Sequence, residues 1–134
     1  MPMRFVTDQK GATAVEFAFV MPVIITIVFG CIEFGLIFLS YNSAGHASWD
    51  TTRQLATGKI SIAQVDTTAR NQLPSWVRSG ATITSAASSS DPNTNRFTVT
   101  VSFPASTATP TRLLSWAYGT LTLTSRTTLQ QEPS

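Results

Sequence analysis

The chain has 134 residues and a formal net charge of +2, and charged residues make up only 12% of it. This length allows one small domain beside any membrane segment. Beyond Leu39, seven basic and four acidic side chains are scattered singly. This scatter excludes the basic stripe that marks nucleic-acid-binding proteins, so we expect no nucleic-acid partner.

The first ten residues form a short basic leader. Arg4 and Lys10 outnumber Asp8 and stand before a long apolar run. An excess of Arg and Lys before the first apolar segment keeps that end of a chain cytoplasmic. We therefore predict a cytoplasmic N-terminus, a single membrane pass, and a periplasmic or otherwise extracytoplasmic C-terminal part.

Residues 12–39 are predicted to form the transmembrane helix. As a helix these 28 residues would be about 42 Å long, which exceeds the roughly 30 Å hydrocarbon core, so the helix tilts or its ends reach the interfaces. Pro22 lies inside it, and membrane helices tolerate proline better than soluble ones do. A cleaved signal peptide, cut in the small residues 40–48, stays an alternative, although its apolar core would be unusually long.

Two acids lie in this apolar segment. An ionised carboxylate there costs about 2.5–3.5 kcal/mol or more, so each one is a functional hypothesis. Glu16 and Glu33 are about 25 Å apart along a helix and about 100° apart around it, so they do not share a face. We expect Glu33 to reach headgroup water at the outer interface, with a contact to another subunit as the alternative.

The sequence K-G-A-T-A-V-E-F, residues 10–17, resembles the processing site of type IV pilin-like proteins. In that superfamily a prepilin peptidase cuts after the glycine. The resemblance implies a cut between Gly11 and Ala12, which makes Glu16 the fifth residue of the mature chain, followed by Phe17. The new amino group of Ala12 is charged at neutral pH and within reach of the Glu16 carboxylate, so we expect the two to pair, on one chain or between neighbouring chains, with a plain interfacial acid as the alternative.

Residues 10 to about 58, with G-C-I-E-F-G at the far end of the apolar run, resemble the TadE-like branch more specifically. This likeness implies a minor pilin, or pseudopilin, of the Tad (Flp) pilus system in the inner membrane. The implied partners are other pilin-like subunits and the prepilin peptidase, with no cofactor and no metal. TadF and TadG relatives share the layout, so the branch stays open. The sequence also leaves open whether the protein enters the pilus fibre, primes it or stays in the membrane.

A polar helix is predicted to continue past Leu39 and to end at Gly58. One stripe of it has helical spacing and consists of Tyr41, Ala44, Ser48, Thr52 and Leu55.

A second helix should begin at the capping box formed by Ser61 and Gln64 and end before Pro74. Asp66 and Arg70 have the spacing of an ion pair within one helix. The predicted buried face consists of Ile62, Val65, Ala69 and Leu73. Ile60 and Val65 are placed to form a hydrophobic staple.

The last third of the chain has strand patterns. Apolar residues alternate with Thr and Ser from Phe97 to Phe103, which is typical of a half-buried strand. Residues 120–129 repeat this more weakly, with Leu121, Leu123 and Leu129 on one side, and residues 81–85 are a third candidate. Residues 88–95 are a turn by composition. Three strands need a helix to cover their apolar face.

These elements predict an α+β fold: a long transmembrane helix continuing into an extracytoplasmic helix, a second short helix, and a small three-stranded antiparallel sheet. The predicted organisation is a leader at 1–11, the transmembrane helix at 12–39 and an extracytoplasmic domain at 40–134. His46 and Asp50 could share a helix face, but no nucleophile elbow or zinc-binding motif accompanies them. We therefore predict that the protein is not an enzyme. The rivals are an uncleaved, signal-anchored binding or scaffold module and a small tethered hydrolase using His46.

Overall fold

The structure is a computed structural model that describes residues 9–91 and 93–132. The chain divides into two compact units, Met1–Ile32 and Glu33–Ser134. Helix α1, Gln9–Ala56, contributes residues to both. Most of the predicted leader lies outside the described residues, and the predicted boundaries at residues 11 and 39 stay predictions.

In the first unit, the described residues belong to α1, and from Phe17 to Ile32 the helix carries apolar side chains on every side. Large side chains are exposed on all sides, and Phe19, at 78%, is the most exposed among them. A helix that is apolar all round belongs in a core or a membrane. The most apolar 18-residue stretch of α1 has a mean hydropathy of 2.4, and among the described residues α1 is the one helix long and apolar enough to cross a bilayer. It continues through Pro22, whose carbonyl accepts a 2.7 Å hydrogen bond from the Thr26 hydroxyl.

The second unit contains the end of α1 and a small α+β domain, as predicted. After α1 come a 3-10 turn, Ile62–Gln64, and two helices, α2 at Val65–Asn71 and α3 at Ser75–Arg78. Strands β1, Thr82–Ala87, and β2, Arg96–Pro104, follow. Two one-turn helices, α4 at Ala105–Ala108 and α5 at Ser115–Tyr118, precede β3 at Thr122–Gln130.

The three strands form one antiparallel sheet in the order β1-β2-β3. Val101, in the central strand, is paired with Ile83 on one side and Ser125 on the other. The alternation predicted for β2 is confirmed, since Phe97, Val99, Val101 and Phe103 are buried. β3 begins later than predicted, so Leu121 precedes the strand and is 53% exposed.

Helix α1 covers the apolar face of the sheet, as the sequence predicts. One buried cluster joins Ala44 and Ala47 of the helix to Val101 and Phe103, and a second joins Leu55 and Ala56 to Phe97 and Val99. Because the helix presents mainly small residues, it packs close to the strands. The Ser48 hydroxyl reaches β3, at 3.1 Å from the Ser125 hydroxyl and 3.0 Å from that of Thr127.

The second predicted helix is confirmed in position but not in every buried residue. The Gln64 side-chain oxygen accepts a 2.9 Å hydrogen bond from the backbone N–H of Ser61. Asp66 and Arg70 form the expected ion pair at 2.8 Å. Ile62, however, is 54% exposed, because periodicity assigns a side chain to a helix face without showing whether another element covers that end of it.

Candidate functional site

The predicted processing residues lie together near the start of α1. Gly11, Ala12, Glu16 and Phe17 are all helical and exposed. Nothing lies within 4 Å of the place where a Cβ on Gly11 would be. Residues four apart are neighbours on a helix surface, so Ala12 and Glu16 share a face. This geometry allows a carboxylate–amine pair if the chain is cut after Gly11, and both the cut and the pair stay predictions.

The best-built polar site in the described residues surrounds Glu33, in the second unit. This side chain is 1% exposed. Its Oε1 accepts hydrogen bonds from the Thr111 hydroxyl at 2.8 Å and from the backbone N–H of Leu113. Its Oε2 accepts from the backbone N–H of Leu114 at 2.8 Å and from the Tyr118 hydroxyl at 3.4 Å. The carboxylate therefore holds a single loop at four points.

The surroundings explain how a buried acid is accommodated there. A buried charge is very costly unless hydrogen bonds or a partner charge satisfy it. Here two backbone N–H groups and two hydroxyls replace water around the carboxylate. The Tyr118 hydroxyl is itself held by the Thr109 hydroxyl at 2.8 Å. The site is a structural clamp between α1 and the connection from β2 to β3.

The expectation that Glu33 reaches headgroup water is wrong. Its carboxylate is enclosed by residues 78 to 85 positions further along the chain. Local sequence carries no signal for such a contact, because nothing around Thr111 and Tyr118 marks them as partners of an acid about eighty positions earlier. The sequence gives one general indication: an acid in an apolar helix requires hydrogen-bond donors or a charged partner. It does not indicate which residues supply them.

His46 and Asp50 are not hydrogen-bonded to each other in the described part of the chain. His46 is exposed, and one Asp50 oxygen accepts hydrogen bonds from the side-chain amides of Gln54 at 2.7 Å and Gln72 at 2.8 Å. Asp50 thus ties α1 to the end of α2. Within residues 9–91 and 93–132, no group of three or more His, Cys, Asp or Glu side chains is placed to hold a metal ion.

The comparison with protein families agrees with this geometry. The model of the TadE-like proteins matches residues 11–53, which begin at Gly11 and lie entirely within α1.

The similarity to the TadE-like proteins covers residues 11–53 of the 134-residue chain.

The TadE-like match implies a pilin-like role associated with the Tad pilus, and the long apolar helix fits a membrane anchor. The match contains both Glu16 and Glu33 but ends before the sheet. No curated protein and no solved structure is similar enough to the chain to count as a match. Because the family match ends at residue 53, the residues between 111 and 118 that bind Glu33 lie outside it.

Proposed function

We propose that this TadE-like chain is a minor pilin-like subunit that acts in assembling a Tad/Flp-type pilus or secretion apparatus. Its role is structural and not enzymatic. It is inserted in the inner membrane with the N-terminus in the cytoplasm and the domain outside. A prepilin peptidase then cuts it between Gly11 and Ala12, and the mature helix packs against other pilin-like subunits of the Tad system.

The observation that carries this proposal is the coincidence of the TadE-like match with one exposed apolar helix. The match begins at Gly11, where the resemblance to pilin-like proteins puts the cut. The helix beyond it exposes large apolar side chains on every face. Such a surface requires lipid or neighbouring helices, since monomers in water rarely expose apolar patches of this size.

The assembly step uses the charge that cleavage creates. A free α-amino group is mostly protonated at neutral pH because its reference pKa is about 7.7–8.0. Glu16, one helical turn from Ala12, can then neutralise the amino group of its own chain or of a neighbour. Pairing lowers the cost of holding either charge within a bilayer. The amino group of Ala12 is free only after the cut, so the processed chain can form this ion pair and the uncut chain cannot.

The test is the mass of the mature N-terminus in cells that carry the Tad system. The wild-type protein should begin at Ala12 and lack residues 1–11. Gly11→Leu should keep the leader, because the peptidase site requires a small residue at the cut. Gly35→Leu is the matched control: it also adds a side chain where no atom lies within 4 Å, and it should be processed normally.

A wild-type chain that still begins at Met1 or Pro2 would contradict the proposed processing. That result would favour the uncleaved, signal-anchored module. Normal cleavage of Gly11→Leu would contradict the placement of the cut while leaving membrane anchoring intact.

A further inference from the structure

The connection that Glu33 clamps has an unusual surface. We name residues 110–121 the clamp loop. Three of its large apolar side chains point outward: Leu113 is 52% exposed, Trp116 79% and Leu121 53%. Trp116 has the most exposed side chain among the large apolar residues of the second unit. An exposed apolar cluster in a small domain marks an interaction surface.

The position of the clamp loop within the domain is also defined. The sheet has two ends, and the polar turn at 88–95 joins β1 to β2 at one of them. The clamp loop leads into β3 at the opposite end, where the Leu121 carbonyl accepts a 2.8 Å hydrogen bond from the Ala105 N–H. The two ends of the sheet therefore differ sharply in polarity, and the apolar end is the one bound to Glu33.

Glu33 is the first residue of the second unit and follows Ile32 directly in the sequence. The predicted transmembrane helix at 12–39 is longer than a hydrocarbon core, and its first 21 residues, 12–32, rise about 31 Å as a helix. This length matches the roughly 30 Å hydrocarbon core of a bilayer. If that stretch crosses the membrane, Glu33 lies at the outer boundary, and four hydrogen bonds hold the clamp loop at the same level.

The composition of the clamp loop suits that boundary. Tryptophan is enriched at membrane–water interfaces because its ring is apolar and its N–H is polar. Leucines flank it, and Arg112 is the one charged residue of the loop and is exposed. Arginine near an interface is attracted to anionic headgroups.

We propose that the clamp loop is a second membrane contact, in which Trp116, Leu113 and Leu121 enter the outer interface of the bilayer that the N-terminal helix spans. Its partner is the lipid bilayer. Glu33 is the positioning residue, since its carboxylate holds the loop at the level of the interface. The contact fixes the domain against the membrane at two places, the helix and the loop. This inference rests on membrane anchoring and does not depend on processing or pilus assembly.

The experiment uses the full chain in vesicles of phosphatidylcholine and phosphatidylglycerol at a ratio of 3:1. The chain has three tryptophans, so two variants with one tryptophan each can be compared. The first, Trp49→Phe with Trp76→Phe, keeps Trp116; the second, Trp76→Phe with Trp116→Phe, keeps Trp49. Trp49 is partly exposed and stacks on Arg53 at 5.5 Å, 16 residues beyond Glu33 on α1.

Phosphatidylcholine brominated near the headgroup end of its chains should quench Trp116 emission at least twofold and leave Trp49 unchanged. Acrylamide in the aqueous phase should quench Trp49 emission more strongly than Trp116 emission. Since Trp76 donates a hydrogen bond to Ser40, a second comparison leaves it intact: Trp116→Phe alone should remove the lipid-quenched part of the wild-type emission. Trp116 is so exposed that this change should not disturb folding.

Four results would overturn the inference. Trp116 quenched by acrylamide and not by brominated lipid would place the loop in water. Protection from both quenchers would mean that a protein surface, such as a second copy, covers it. Equal lipid quenching of Trp49 would mean that the whole domain lies on the bilayer. Failure of the chain to float with the vesicles would remove the membrane anchor on which the argument depends.

Discussion

At the scale of single residues, the buried carboxylate of Glu33 shows how an apolar helix can also organise a folded domain. Its two oxygens accept hydrogen bonds from two backbone N–H groups and two hydroxyls. All four groups donate to the carboxylate, so the site fits an acceptor-only side chain. An amide of the same shape has one acceptor oxygen and one donor group, and that donor would face other donors.

We therefore expect Glu33→Gln to lower the stability of the domain by about 1–3 kcal/mol, the cost of leaving buried groups unsatisfied. Thermal unfolding in detergent, followed by near-UV circular dichroism, would measure it. Glu132→Gln is the matched control, because Glu132 is exposed and surface changes of this kind usually stay within about 0.5 kcal/mol. Equal unfolding temperatures for the two variants would contradict the role given to Glu33.

At the scale of elements, the link between α2 and the segment before β1 depends on Arg70. Its guanidinium binds Asp66 in two places, donates to the Ala81 carbonyl at 3.1 Å and also contacts the Arg78 carbonyl. The hydrogen bonds from Arg70 lower the pKa of Asp66, and the charge attraction acts the same way, against an opposing effect of burial. Because the Asp66 side chain is 55% exposed, the pair contributes only about 0.3–0.5 kcal/mol.

This shift predicts the pH range in which the link weakens. A lowered pKa means that the folded state holds the Asp66 proton less tightly than the unfolded state does. The pair therefore stabilises the domain fully above the ordinary aspartate pKa of about 3.9, and the contribution is lost as the pH falls through the lower, folded value.

We expect Asp66→Asn to reduce the difference between unfolding temperatures measured at pH 7 and pH 3. Arg70→Met should cost more than Asp66→Asn at pH 7, because it also removes the hydrogen bonds to the backbone carbonyls of residues 78 and 81. If the two variants unfold at the same temperature, the hydrogen bonds from Arg70 to the backbone carbonyls contribute nothing to the stability of the domain.

Much of the element order could be predicted because it is encoded locally. The alternation from Phe97 to Phe103 has the two-residue period of a strand, and the capping sequence at Ser61 marks a helix start. The exposure of Ile62 and Leu121, in contrast, depends on what lies opposite each side chain. The enclosure of Glu33 depends on donors about eighty residues away. Such contacts are properties of the assembled fold, and no local period contains them.

The helix that follows the capping sequence offers a direct test of this difference. The helical spacing assigns Ile62 and Leu73 to the same predicted buried face. Leu73 is 1% exposed, however, and Ile62 is 54% exposed. Leu73→Ala should cost about 2–5 kcal/mol, because it opens a cavity in the core. Ile62→Ala should stay within about 0.5 kcal/mol. Chemical denaturation of the two variants side by side would measure both, and similar losses would mean that Ile62 is buried in solution.

At the scale of the whole molecule, the chain combines an apolar helix, long enough to cross a membrane and similar to the TadE-like proteins, with a domain that contains the contacts of Glu33. The TadE-like match covers residues 11–53, which contain the predicted processing residues, the apolar segment, and Ala44 and Ala47 of the part of α1 that packs on the sheet. The motif at Gly11 and Glu16 was accessible from sequence because its spacing is short and fixed. Within the described residues of the first unit, Glu16 is the acidic side chain on which the proposed assembly contact depends.

Glu16→Gln separates insertion from assembly. The amide keeps the shape of the side chain and removes its charge, so insertion should improve slightly, because a neutral amide costs less to bury than an ion. Assembly should fall, because the amino group of Ala12 would stay buried without its partner, at a cost of about 3–5 kcal/mol for a broken buried pair. The measurement is crosslinking to other pilin-like subunits, with membrane level and N-terminal mass followed in parallel.

Thr26→Val is the control for this experiment. Thr26 is another polar residue of the apolar segment, but its hydroxyl bonds to the Pro22 carbonyl of its own helix, so its loss should leave crosslinking unchanged. Normal insertion and cleavage with lost crosslinking in Glu16→Gln alone would establish an assembly contact. Unchanged crosslinking and unchanged pilus output would instead show that Glu16 is a plain interfacial acid, since a charge that neutralises no partner can be removed without affecting association.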